Sequence, residues 1–165
     1  MIRPGTPADL QNIAKLQIAS WRDAYADSLP PEYLGQPVVD DLTTRWNNLD
    51  LTKGDILLVA EGTNGIQGFI MILMKDTPYV DNLHIDPKLR RSGIGKALLK
   101  AAASALIEKG ETSVYLTVLT DNDRAIKFYQ AMGAEIGPAQ TDMMFDQKVQ
   151  AFPMTWTDLP ALARV

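Results

Sequence analysis

The chain predicts a mixed α+β fold, with a central, mostly antiparallel sheet and one parallel strand–helix–strand crossover. Three observations carry that expectation. The 165 residues, 46% hydrophobic and 22% charged, have the size and composition of one globular domain spanning residues 1–165. Two apolar, β-branched runs, Ile56 to Glu61 and Ile66 to Lys75, flank Gly62-Thr63-Asn64-Gly65, the signature of an antiparallel hairpin. From Tyr79 to Leu119 an extended run, a helical run and a second extended run follow one another, an order that closes as a right-handed parallel crossover.

In chain order, a short strand at Ile2-Arg3 enters Thr6-Pro7-Ala8-Asp9. Thr6 is placed as an N-cap, with Pro7 in the first helical position and Asp9 three residues after the cap. Leu10, Ile13, Ala14, Ile18 and Trp21 recur at helical spacing until Leu29-Pro30-Pro31 breaks the pattern. A second helix is expected over Val38 to Leu49, and Lys53-Gly54-Asp55 returns the chain to the hairpin. The strand Tyr79 to Ile85 puts Asp81, Leu83 and Ile85 on one face and Asn82 and His84 on the other unless a bulge intervenes. Ala97, Leu98, Ala101, Ala102 and Ala105 trace a helix face that Gly110 stops, and Val114 to Leu119 is the next strand. Asp123 to Met132 is a short helix closed by Gly133, and the remaining runs suggest two closing strands.

Composition excludes several classes of function. The formal net charge of −4 disfavours a general nucleic-acid binder, and the absence of cysteine removes disulfides, thiolate nucleophiles and cysteine–histidine zinc sites. No metal site is expected. The longest apolar stretch, Phe69 to Met74, is far shorter than the roughly 20 residues of a membrane span, and a cytoplasmic protein is expected.

Basic charge concentrates in Arg90-Arg91-Ser92-Gly93-Ile94-Gly95-Lys96, between the strand and the helix of the crossover. A helix N-terminus carries about four unpaired N–H groups and roughly half a positive charge, so this segment is an anion cradle. Gly93 and Gly95 allow φ > 0 and close approach, while Arg90, Arg91 and Lys96 add charged donors. Without an anion, three cations at that end would oppose the helix dipole. A dinucleotide-binding fingerprint fails because Leu98 stands where its third glycine belongs. A Walker loop fails because Arg90 replaces its first glycine and neither Ser nor Thr follows Lys96.

Arginine, two residues, glycine, one residue, glycine between strand and helix resembles the pyrophosphate loop of the GNAT N-acetyltransferase superfamily. Asn122, Ala125, Phe128 and Tyr129 after the next strand are similar to a second motif of that superfamily. Ser20-Trp21-Arg22-Asp23-Ala24-Tyr25 is similar to a segment of many of its members. Ala134 departs from the phenylalanine often found there, and Asp81 from a glutamate.

The resemblance implies a GNAT-like acyl-CoA N-acyltransferase fold and acetyl-CoA as donor. It places the pyrophosphate on Arg90, Arg91, Ser92, Gly93, Ile94, Gly95 and Lys96 and the pantetheine arm along Leu83, His84 and Ile85. Asn122 and Phe128 complete that set, with Asn122 orienting the cofactor. It also implies direct attack by a primary amine through a tetrahedral intermediate. That chemistry needs an oxyanion donor, an acid and a base. A backbone N–H of the Leu83 to Ile85 segment serves the first role and Tyr129 the second, since a phenol of pKa about 10 stays protonated at neutral pH. Asp81 is the first candidate for the base and His84 the second. On periodicity alone, Tyr129 reads as core packing with Ala125, Phe128 and Met132, a preference that the neighbouring motif reverses.

Trp21, Tyr25, Tyr33 and Trp46 are candidates for an acceptor pocket, although helix packing explains them as well. The acceptor is a small-molecule or peptide amine, with a cationic one mildly favoured by the acidic balance, and a homodimer is left open. The alternative from another class is a catalytically silent CoA-binding module used for sensing or assembly.

Overall fold

The computed structural model describes residues 1–165. Strands β1 (Ile2–Pro4), β2 (Ile56–Gly62), β3 (Gly65–Leu73), β4 (Tyr79–Ile85), β5 (Val114–Leu119), β6 (Glu135–Ile136), β7 (Gln140–Met144) and β8 (Gln147–Trp156) form one sheet. The helices are α1 (Leu10–Ala24), α2 (Gln36–Asn47), α3 (Ile94–Glu108), α4 (Asp123–Ala131) and α5 (Leu159–Arg164). Strand order is β1-β2-β3-β4-β5-β8-β6, with β7 also on β8, and every pairing is antiparallel except β4 with β5. This is the mixed α+β architecture expected, although the last third builds three strands and a terminal helix where two strands were expected.

Alternation along β3 divides the core. Ile70 and Ile72 face α3, α4 and α5 together with Val80, Leu98, Leu116 and Trp156, while Phe69 and Met71 face α1 with Ile13, Ala14 and Trp46. The α3 stripe is shifted by one residue from the expected face. Leu98, Leu99, Ala102, Ala103 and Leu106 are the buried set, because a helix apolar nearly all round does not declare its face by periodicity.

The first turn forms as expected for a capping box. Thr6 N donates to Asp9 Oδ2 at 2.8 Å, and Asp9 is further held by Arg3, 2.8 Å away, joining β1 to the start of α1.

Two departures from regular pairing create the site. Ile72 pairs with Val80 but Met71 with Asn82, so Asp81 is an extra residue in β4. The bulge turns Asp81 to the side of Asn82 and His84, away from Leu83 and Ile85. Strands β4 and β5 share one registered pair, Tyr79 with Tyr115, and separate beyond it. Their C-terminal ends are therefore open to each other, with backbone polar groups that no neighbouring strand satisfies.

Candidate active site

Two cavities lie along that opening. The larger, about 670 Å³, is bounded by Leu83, His84 and Ile85 on β4, the loop and first turn of α3 from Arg90 to Lys96, and Asn122, Phe128 and Tyr129 of the α4 segment. Every residue expected to hold a CoA donor lines it. The smaller, about 310 Å³, has walls from α1, α2, β4, β5 and the β7–β8 hairpin. Tyr25, His84 and Thr117 line both, so the cavities meet at these residues.

The loop ahead of α3 is an anion cradle by backbone geometry. Arg91 (φ 62°) and Gly93 (φ 84°) are left-handed, and the amides from Arg90 through Lys96 have no acceptor anywhere in the protein. A Cβ on Gly93 would meet nothing within 4 Å, so the requirement for glycine there is conformational. Gly95 was expected to share that freedom and does not. It sits in the first helical turn, where a Cβ would approach Phe128 Cζ to 3.4 Å, so its smallness seats α3 against α4. Arg90 is ion-paired with Asp23 at the end of α1, and Arg124 of α4 lies 3.9 Å from the same carboxylate.

Asn122 acts as a cap, its Oδ1 accepting from Ala125 N at 3.3 Å, and starts α4 so that Tyr129 points into the larger cavity. Half-buried Tyr129 packs edge-on to Trp156 at 5.8 Å. Its hydroxyl has no protein partner, and burial followed by the neighbouring Tyr25 and Tyr79 pushes its pKa well up. Tyr25, at the junction, is pushed up to about 12, first by burial.

His84 is buried with both ring nitrogens engaged. The Trp21 indole N–H can only donate, so Nε2 at 3.3 Å accepts; Nδ1 therefore carries the proton and donates to Ser20 Oγ at 2.9 Å. Burial, then the Arg45 and Arg90 charges, lower its pKa to about 3, keeping the ring neutral. Such a ring is a poor base, and it is equally unable to activate Ser20.

Asp81 lines the smaller cavity, ion-paired with Arg45 of α2 and accepting from Asn82 Nδ2 at 2.9 Å. Behind it runs a buried, directed chain: Trp46 Nε1 donates to Gln17 Oε1 at 2.6 Å and Gln17 Nε2 to Asn82 Oδ1 at 2.7 Å. Trp46 thus serves the core rather than the pocket. Tyr33 also lies outside the cavity; it is buried with Trp21, Leu29, Val38 and Leu42, and its hydroxyl donates to Asp41 at 2.7 Å. Trp21 and Tyr25 do line it. Sequence reasoning missed Arg45, Tyr79, Thr117, Asp142 and Phe145, which carry no motif and come from four separate segments, α2, β4, β5 and the β7–β8 hairpin.

The acetyltransferase (GNAT) family pattern matches residues 15–134. The chain belongs to the GNAT family. It is an acetyl-CoA-dependent N-acetyltransferase of that family, and the unpartnered amides and the adjoining cleft fit the donor. It is similar, at 27% identity over 98% of its length and 95% of the other protein's, to the uncharacterized N-acetyltransferase YuaI of Bacillus subtilis (strain 168). Over 34% of its length it is 35% identical to the thialysine N-epsilon-acetyltransferase of Bos taurus, matching 34% of that protein. Its fold is similar to that of PaiA N-acetyltransferase from Thermoplasma acidophilum, solved with coenzyme A (TM-score 0.73, 22% identity, 94% of this chain and 98% of that one). The fold of YncA from Salmonella typhimurium, solved with its cofactor acetyl-CoA, is similar at TM-score 0.68 and 16% identity, over 95% and 92% of the two chains. No helix is long and apolar enough to cross a membrane.

Proposed function

We propose that the chain moves an acetyl group from acetyl-CoA directly to a small primary amine, the two reactants entering from opposite cavities and meeting beside Tyr25, His84 and Thr117. The observation that carries this is the junction itself: an amide-lined anion cradle on one side, an aromatic cavity on the other, and a partnerless phenol on the wall of the first. When bound, acetyl-CoA supplies a thioester activated for acyl transfer. The amides of Ser92 to Lys96, with Arg90, Arg91 and Lys96, hold its diphosphate, and the free edge of β4 at Leu83, His84 and Ile85 pairs with its extended amide arm.

A backbone N–H of that edge serves as the oxyanion donor, a contribution of about 3 kcal/mol to transition-state stabilisation. Tyr129 acts as the general acid toward the departing sulfur. Asp81, ion-paired with Arg45 on the wall of the acceptor cavity, is the carboxylate that receives the acceptor's proton through an intervening water. His84 orients Ser20 and Trp21 rather than moving protons. Because the chain lacks cysteine and Ser20 receives a hydrogen bond from a neutral imidazole, no acyl-enzyme is expected. The thialysine relative acts, by its name, on an amine, which supports a similar acceptor here.

The test pairs a melting measurement with an assay for free CoA over a panel of amines. Acetyl-CoA should raise the melting temperature, and a compact primary amine should then release CoA. A melting shift without CoA release from any amine would leave only the silent binding module.

A further inference from the structure

We propose that Asp142, in the middle of β7 on the β7–β8 hairpin wall, is the residue that binds the acceptor in its ammonium form, inside a cage of Trp21, Tyr25 and Phe145. The inference rests on the acetyltransferase reading and narrows its acceptor to a compact organic cation.

Charge accounting within the smaller cavity is the first support. Its lining holds three charged side chains, Arg45, Asp81 and Asp142. Arg45 and Asp81 neutralise one another, whereas Asp142 has no cationic partner. It is held only by neutral donors: Thr117 Oγ1 to Oδ2 at 3.2 Å and Met143 N to Oδ1 at 2.8 Å. Thr117 has one proton and gives it to Asp142, so Tyr79 must donate to Thr117 Oγ1, 3.1 Å away. The hydrogen bonds run from Tyr79 through Thr117 and end on this carboxylate, fixing its orientation at the junction of the cavities. An amine of ordinary basicity arrives protonated, and this is the one anion in the cavity whose charge is not already met.

The walls are the second support. Trp21 lies edge-on to Tyr25 at 5.4 Å (72°) and to Phe145 at 6.1 Å (63°), so the rings form corners rather than a stack. Aromatic faces arranged around a cavity attract ammonium groups through the ring quadrupole, and more strongly once desolvated. Phe145 is held there by a left-handed backbone (φ 53°), uncommon for a phenylalanine. At about 310 Å³, the cavity is at the small end of ligand sites, suited to a compact amine or a single side chain.

Tetramethylammonium, which cannot be acetylated, is the probe, with tert-butanol as its uncharged counterpart. Binding to the full chain is followed by ligand-observed NMR for the unaltered protein, Asp142→Asn and Phe145→Leu. Tetramethylammonium should bind and be displaced by reactive amines but not by acetyl-CoA, and tert-butanol should not bind. Asp142→Asn should weaken the probe by at least about tenfold while raising the amine KM more than it lowers kcat; Phe145→Leu should weaken it by less. Failure of the probe to bind, equal binding of tert-butanol, or unchanged binding in Asp142→Asn would each overturn the subsite. Should Asp142→Asn fail to fold, the cation-to-alcohol comparison and Phe145→Leu still decide. CoA release by the unaltered protein is read separately, so loss of the subsite and loss of the transferase activity are distinct results.

Discussion

The donor cradle and the acceptor cavity are neighbours built in opposite ways. The cradle is one short run of chain whose main-chain amides are left without acceptors, and the proposed contacts to a diphosphate come from that backbone together with the neighbouring Arg90, Arg91 and Lys96. The acceptor cavity is made of side chains from α1, α2, β4, β5 and the β7–β8 hairpin, brought together only by the fold. A backbone site tolerates many side chains but few backbone changes. A side-chain site is the reverse, and each of its members can be altered to change what is recognised.

The sharpest way to break this contrast is to remove one hydroxyl from the wall of the donor cavity while leaving the cradle amides and the acceptor side chains in place. Tyr129→Phe should lower kcat by about 10²- to 10⁴-fold and leave the acetyl-CoA melting shift intact; undiminished turnover would remove Tyr129 from the acid role. Gly93→Val forces a β-branched residue to a φ of 84°. Acetyl-CoA affinity by calorimetry should fall about 10- to 100-fold, corresponding to 1–3 kcal/mol of backbone strain, with tetramethylammonium binding unchanged. If both ligands weaken together, the two sites are not independent.

On the acceptor side, Gln17→Leu strands the Trp46 indole N–H and the Asn82 carbonyl in the core. Chemical denaturation should register a loss of about 1–3 kcal/mol, and the amine KM should rise while acetyl-CoA binding holds. A change confined to stability would mean that the chain of hydrogen bonds does not govern Asp81.

Acid sensitivity offers a further test. Folded His84 stays neutral down to about pH 3, whereas in the unfolded chain it protonates near pH 6.5. The unfolded state therefore binds more protons between those values, and stability falls as pH drops through that window, by up to about 1.4 kcal/mol per pH unit. Asp9, lowered to about 2 chiefly by its hydrogen bond from Arg3, acts in the same direction only below the ordinary carboxylate range. Between pH 6.5 and 5 the slope should therefore flatten in His84→Gln; an unchanged slope would show that the ring titrates normally. The smallest effect belongs to Tyr33→Phe, which loses one hydrogen bond to Asp41 outside the cavity. A stability change of about 1 kcal/mol with unaltered kinetics is expected, and a kinetic defect would return Tyr33 to the acceptor site.

How much was legible follows the same division. The hairpin at Gly62 to Gly65, the crossover and the Thr6 to Asp9 turn were readable because turn chemistry and capping act over a few residues. The facing of α3 was not, since its apolar residues cover most of the helix. Asp81 was recognised as a candidate, yet its face depended on a bulge, and a one-residue insertion reverses the alternation of a strand. His84 read as a second base because an isolated histidine titrates near neutrality. Burial and its partners Ser20 and Trp21, more than sixty positions away, change that. Asp142 offered no signal at all, being one polar residue in a short strand.

By itself the sequence determined the layered α+β plan and the glycine loop with its unpaired helix-end amides, because hydrophobic period, glycine spacing and helix-end amides are properties of neighbouring residues. Only the tertiary structure decided which carboxylate is neutralised and which is left free, which aromatics reach the cavity, and that β4 and β5 part where the two cavities meet. Ion pairing, desolvation and cavity walls are made by side chains distant in the chain, and they take their values only after the layers have packed.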